Sequence, residues 1–278
     1  MHDEQQQLSP HRHISFTAHY TGYIWYQLGW SHAALASRKG HRLATLMHPL
    51  ELLMERYVGG SMRSTLKQRH TLIDRQLDRL LDQHPDLQIL EIAAGLSPRG
   101  WRYRQKHQGL VFVEADLPDM AEAKRVALST IESPAPRIEA VDLFADDLAN
   151  LLAQFDQSKP LVIISEGLVN YFTKDLLAQL WGHLAEQLSQ FPIGVYLTDI
   201  YPEPVKHRLA QVIWNASKLL KFMSRSAFAF HFKAPDELRE FMNDSGFHQV
   251  KVFQPSNDDA PMRTDHFGDL VWVIEARI

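Results

Sequence analysis

Short, nearly unbroken apolar runs punctuate the middle of the chain. Gln88-Ile89-Leu90-Glu91-Ile92-Ala93, Leu110-Val111-Phe112-Val113-Glu114, Leu161-Val162-Ile163-Ile164 and Gly194-Val195-Tyr196-Leu197-Thr198 are four of them, and Arg137 to Leu143 is a weaker fifth. Runs without polar alternation mark strands buried on both faces, as in a parallel sheet between helices. Between them the period changes. Leu176, Leu177, Leu180, Trp181, Leu184 and Leu188 fall on one face of a 3.6-residue repeat. Alternating strands and helices predict a doubly wound, mostly parallel α/β sheet. Residues 1–86 are helical in pattern and are expected to cap the core, residues 87–278, within one domain. Pro235 to Asn243 reads as a helix stopped by Ser245-Gly246-Phe247, and residues 203–233 before it as a helical insertion. His248 to Phe253 and Leu270 to Ile278 complete seven strands. The polar loop between them is too short for a crossover helix, so these two should pair antiparallel.

Composition narrows the class. With 278 residues, 45% hydrophobic and 22% charged, the chain is globular, and with no cysteine it has no disulfide, thiolate metal site or cysteine nucleophile. A net charge of −4 is a poor basis for nucleic-acid binding, which needs a basic field. Met1 to Gln7 lack a basic start and apolar run, and no stretch approaches about 18 apolar residues. A cytoplasmic protein with no membrane or nucleic-acid partner is the expectation. His11-Arg12-His13 lacks the companions of a metal site, and no metal is expected.

Candidate chemistry lies where strands end. Glu91-Ile92-Ala93-Ala94-Gly95-Leu96-Ser97-Pro98-Arg99-Gly100 runs from a buried strand into small residues. Small side chains let a ligand lie against the backbone there, so Glu91, Ala93 and Gly95 are candidates to line it. Pro98 stands where a dinucleotide fingerprint needs glycine, which disfavours NAD. Arg99 stands where a hydrolase elbow needs glycine. About 20 residues on, Glu114-Ala115-Asp116-Leu117-Pro118 offers Asp116 as an acceptor for ribose hydroxyls. Val141-Asp142-Leu143 closes the third strand, where Asp142 and the next backbone N–H could meet an adenine edge. Ser165-Glu166-Gly167 places Glu166 directly after the fourth strand, in the crevice where such sheets bind ligands.

Three of these motifs, Glu91 to Gly100, Val113 to Pro118, and Ser165-Glu166-Gly167 with the Leu168-Val169-Asn170-Tyr171-Phe172 that follows, resemble those of the leucine carboxyl methyltransferase superfamily, and its bacterial polyketide O-methyltransferase branch most. The resemblance covers roughly residues 60–200 in detail, and the strand layout is that of class I methyltransferases. It implies S-adenosylmethionine as cofactor: Gly95 approaching it, Asp116 on the ribose, Asp142 and Leu143 on the adenine, and Glu166 beside the methionine moiety. Arg69 corresponds to a helix arginine that pairs with the cofactor carboxylate. Many relatives carry glycine at the position of Ala93 and Asp-Thr at that of Ser97-Pro98. The aromatic block Ser15 to Tyr26 corresponds to a lid over cofactor and acceptor.

The expected reaction is methyl transfer to the hydroxyl of a small, polyketide-like molecule or to a carboxylate. A carboxylate needs no base, whereas a hydroxyl would need one nearby, and Tyr171, His19 and His231 are candidates by location. The alternative is a non-catalytic module that holds S-adenosylmethionine or S-adenosylhomocysteine. Arg69 lies three residues after Leu66 and four before Ile73, on the apolar face of a predicted helix. Once buried there it needs an anion, because its charge cannot be removed.

Overall fold

The computed structural model describes residues 14–58, 61–203, 229–257 and 269–278. The chain opens with three helices, α1 (Ile14–Gln27), α2 (Arg38–Val58) and α3 (Met62–Gln83). Ser61 starts α3 with a reciprocal cap, its hydroxyl accepting from the Ser64 N–H while Ser64 Oγ accepts from the Ser61 N–H. Next come β1 (Gln88–Ile92), α4 (Arg99–Lys106), β2 (Phe112–Asp116), α5 (Pro118–Ser129), β3 (Ile138–Ala140), α6 (Asp147–Leu152) and β4 (Leu161–Ser165). The order then runs α7 (Lys174–Leu188), β5 (Gly194–Ile200), α8 (Pro235–Asp244), β6 (Gln249–Phe253) and β7 (Trp272–Arg277).

The seven strands form one sheet in the order β3-β2-β1-β4-β5-β7-β6. The first five are parallel, and β7 runs antiparallel to both β5 and β6, as expected, although the connection 254–271 is long enough for a crossover and does not by itself require that pairing. The order reverses between β1 and β4, and a crevice opens at the carboxyl ends of the strands on either side of such a switch point. One face packs apolar side chains of α6, α7 and α8 on the sheet. The other is covered by Leu72, Ile73, Leu77 and Leu80 of α3. Beyond them α1 and α2 share a small core of Tyr20, Ile24, Trp25 and Ala44, joined by Leu66.

Several expected boundaries move. The second strand starts later and ends later: Val111 is exposed beyond the left-handed turn at Gly109, and the ladder carries on to Asp116. The third strand stops at Ala140. Val141 N still donates to Asp116 O, but Asp142 turns the chain by accepting the Phe144 N–H on its own carboxylate, so Asp142 and Leu143 lie past the strand instead of closing it. Leu176 falls at the exposed edge of α7, next to Thr173, whose hydroxyl accepts its N–H. Most of the expected 203–233 insertion, residues 204–228, lies outside the described residues. Its two ends are not helical: Glu203 N donates to Phe232 O, and Ala229 N to Asn170 O.

Candidate functional site

The strand ends at the switch point carry the expected groups. Ala93 leaves β1 in the left-handed region at φ +50°, followed by Gly95 at φ +47°. For an alanine that conformation costs about 1–2 kcal/mol, so the surroundings must hold it. Ala94 is tied by its N–H to Ala115 O and by its carbonyl to Ser97 N. Gly95 N donates to Asp116 Oδ2 at 2.6 Å and Leu117 N to Asp116 Oδ1 at 2.8 Å. Burial raises the Asp116 carboxyl, against these two donors. Each oxygen keeps a second lone pair. A Cβ on Gly95 would lie 3.0 Å from Ala18, so α1 passes directly over this turn.

A buried charge cluster fills the β1–β4 side. Glu166 follows β4 and receives Arg69 Nε at 2.9 Å on one oxygen, and His70 Nδ1 at 2.8 Å and Arg99 at 2.6 Å on the other. Burial would raise its pKa, but His70, Arg99 and Arg69 together hold it well below the ordinary glutamate range. Arg99, with no exposed surface, also reaches Asp74 at 2.7 Å and Glu91 at 2.5 Å. Glu91 faces this cluster, with Ser97 Oγ donating to it at 3.0 Å and its Oε2 without a hydrogen bond. Burial pushes its pKa up, ahead of the opposing arginine and lysine charges. Trp25 and Trp30 cover the His70 ring, with centroids 4.5 and 5.6 Å away.

Arg69 is buried on the expected face of α3, and protein carboxylates already answer its charge: Glu166 at 2.9 Å and Asp199 at 3.6 Å. Its guanidinium lies over Gly167, where a Cβ would approach to 2.9 Å, and Gly167 itself sits at φ +71°. Asp199, at the end of β5, accepts the Gly167 N–H at 2.5 Å on Oδ1, while its buried Oδ2 has no hydrogen-bond partner. Burial raises its pKa, with Arg69 opposing.

The three candidate bases have different surroundings. Tyr171 OH donates to Thr17 Oγ1 of α1 at 3.3 Å, and burial raises its pKa, which makes it a poor base. His231 Nε2 donates to Phe172 O at 2.7 Å, leaving the Nδ1 lone pair open. His19 Nδ1 is 2.9 Å from Ser37 Oγ. Burial lowers the pKa of both histidines, which keeps the rings neutral. Sequence reasoning missed His70, Asp74, Arg99 and Asp199 as members of the site. One signal was available for Asp199, because it follows a buried strand as Glu166 does. His70 shares the face of Leu66, Ile73 and Leu77 that flagged Arg69, so its burial was legible too. Asp74 and Arg99 gave no such signal, and no helical pattern reveals a partner dozens of residues away.

The parallel core, antiparallel last strand and open turn after β1 define a class I methyltransferase fold. Two solved structures share it. Magnesium protoporphyrin IX methyltransferase from Synechocystis PCC 6803, with bound SAH, is 14% identical, with TM-score 0.50 over 85% of this chain and 98% of that one. A Nostoc punctiforme PCC 73102 protein described as an O-methyltransferase is 14% identical, with TM-score 0.51 over 99% of this chain and 75% of that one. At that identity the likeness is one of fold. The family model described as leucine carboxyl methyltransferase matches residues 33–185, more than half of the 278 residues, and the chain belongs to that family. It is also similar to the S-adenosyl-L-methionine-dependent methyltransferase dpfgK of Gibberella zeae, 22% identical over 180 residues, 63% of this chain and 58% of that one. The chain thus spans less than two thirds of the curated relative it matches.

Proposed function

We propose that this chain is an S-adenosylmethionine-dependent O-methyltransferase whose acceptor is a polyketide-like hydroxyl or a carboxylate of a small molecule. The observation that carries the reading is the open turn Ala93–Gly95 facing Asp116 at the switch point, in a chain of this family. The donor set suits the cofactor's two ends. Asp116, with a free lone pair on each oxygen, would accept the ribose hydroxyls, and Asp142 and Leu143 would meet the adenine from the turn past β3. At the amino-acid end, Arg69 would fork onto the carboxylate, and Asp199 Oδ2, which has no hydrogen bond and only a 3.6 Å ion pair with Arg69, would take the ammonium. Glu166 would then hold Arg69 in place beside the methionine moiety, with Glu91, Ala93 and Gly95 backing the crevice.

When bound, S-adenosylmethionine would supply a sulfonium methyl group: the acceptor oxygen would bond to the methyl carbon in line as the carbon–sulfur bond breaks, and S-adenosylhomocysteine would leave. The residues of this chain orient the two partners and exclude water. Of the segment 1–86 expected to cap the core, the described helices α1, α2 and α3 would do so within the same domain, with α1 over the turn. A hydroxyl acceptor would lose its proton to His231 Nδ1, which carries the lone pair of a neutral ring whose Nε2 is fixed on the Phe172 carbonyl, and a carboxylate would need no base. No helix among the described residues is long and apolar enough to cross a membrane.

S-adenosylhomocysteine at about 100 times its Kd should stabilise the protein by about 2.7 kcal/mol, roughly a 5–10 °C rise in Tm, and NADH should do nothing. A shift with NADH alone would end this reading. Incubation with methyl-labelled cofactor and cell extract should label a small-molecule fraction, base-labile for an ester and base-stable for an ether. Label found only in nucleic acid would refute the acceptor class.

A further inference from the structure

A further group of buried charges, on β2, α4 and α5, reaches the turn at the Ala94 carbonyl. Lys124, on α5, has 1% of its surface exposed, and its ammonium donates to the Ala94 carbonyl at 3.3 Å. The same ammonium pairs with Glu114 of β2. Glu114 is fully buried and takes Arg104 of α4 at 3.0 Å on its other oxygen, and Arg104 is held in turn by Glu132 at 2.7 Å. Gly100 makes room for this carboxylate, since a Cβ there would come within 2.5 Å of it. Burying a lysine and a glutamate is costly unless their geometry serves something.

What the cluster touches is the strained turn. Ala94 sits between two left-handed residues, one of them the alanine at φ +50° that would relax if released. Its N–H and carbonyl are both tied to backbone, and Lys124 adds a charged donor to the carbonyl's second lone pair. The lysine charge also reaches Asp116, where it counters the burial that raises that carboxyl.

We infer that Lys124 is a positioning residue: anchored by Glu114 and Arg104, it clamps the Ala94 peptide so that Ala93 stays left-handed and Gly95 keeps its N–H on Asp116. The chain thereby holds with a lysine a turn that a glycine at position 93 would adopt without strain. The ligand consequence rests on the cofactor reading above, but the local one does not.

Lys124→Met keeps the length and apolar stem but removes the donor, and K124M/E114Q also removes the carboxylate left without its lysine, so that one of the two folds. Amide hydrogen exchange needs no ligand. The Gly95 amide should exchange at least tenfold faster in the variant, with the Val195 amide of β5 unchanged. Calorimetry with S-adenosylhomocysteine should show Kd raised at least tenfold, and adding Ala93→Gly should restore most of the loss, because glycine keeps the turn without the clamp. A merely structural lysine would lower Tm, speed exchange at both amides alike, and show no rescue by A93G. That result, or Gly95 exchange and Kd within twofold of the parent, overturns the inference. If the parent protein itself does not bind S-adenosylhomocysteine, the cofactor reading fails, and the exchange experiment alone decides the role of Lys124.

Discussion

Helices α3 and α7 cover opposite faces of the same sheet, yet they bury different chemistry. Along α7 the buried residues are Leu177, Leu180, Trp181, Leu184, Ala185 and Leu188, all apolar. The buried face of α3 is free of charge toward its carboxyl end, where Gln76 is the polar exception among Leu72, Ile73, Leu77, Leu80 and Leu81. Its amino-terminal half buries Thr65, Arg69 and His70 among the apolar side chains. The division follows position over the sheet. The later turns of α3 lie on the middle of the strands, whereas Arg69 and His70 sit over their carboxyl ends, against Glu166 and Asp199. A buried charge gains nothing over an apolar side chain in packing, and breaking its pairing is expensive. Where one helix changes from apolar to charged burial, the charges mark the functional end of the fold.

Substitutions on each face should separate the two kinds of burial. The largest effect is expected for Arg99→Met, which leaves Glu91, Asp74 and Glu166 short of a buried partner and should cost about 4 kcal/mol at neutral pH in a denaturant titration. The pH dependence has a definite sign. Glu166 and Asp74 have folded-state pKa values below their unfolded ones, so their stabilisation is present above about pH 4.5 and is lost as the pH falls through the folded values. Glu91 and Asp199, raised by burial, act oppositely: the folded state loses stability as pH rises through their folded values. The penalty of Arg99→Met should therefore shrink in acid. A penalty equal at pH 4 and pH 8 would mean that the cluster is not an ionic unit.

Leu184→Ala, on the opposite face, should cost about 3 kcal/mol through the cavity it leaves, and by the same amount at both pH values. A strong pH dependence there would erase the contrast. The smallest effect is expected for Arg69→Lys. It keeps the charge beside Glu166 and Asp199, so stability should change little. The fork onto the cofactor carboxylate would be lost, about tenfold in affinity or 1.4 kcal/mol. Decarboxylated S-adenosylmethionine should be affected far less. Equal weakening of both ligands in calorimetry would remove Arg69 from that role.

Much of the scaffold was legible in the order of residues. Apolar runs such as Leu161 to Ile164 located strands because burial on both faces excludes alternation. The leucines of α7 located its inner face, and the two terminal apolar runs located β6 and β7, whose antiparallel pairing their 18-residue connection allowed but did not impose. The same periodicity put Arg69 on a buried face and so required a counter-charge. Boundaries were less legible. Asp142 left the ladder because its side chain competes for a backbone N–H, a choice settled by one hydrogen bond.

The amino-acid sequence alone determined the alternation of strands and helices, the small-residue turn after the first strand and the acids at the strand ends. These follow from local periodicity and from residue type. Only the tertiary structure decided which charges meet: Arg69 with Glu166 and Asp199, Arg99 with Glu91 and Asp74, and Lys124 with Glu114 and the Ala94 carbonyl. Charge pairing has no period along the chain. An ion's partner is set by where folding brings distant segments together and by which buried oxygens are left to take a proton donor, and neither is written in the spacing of residues.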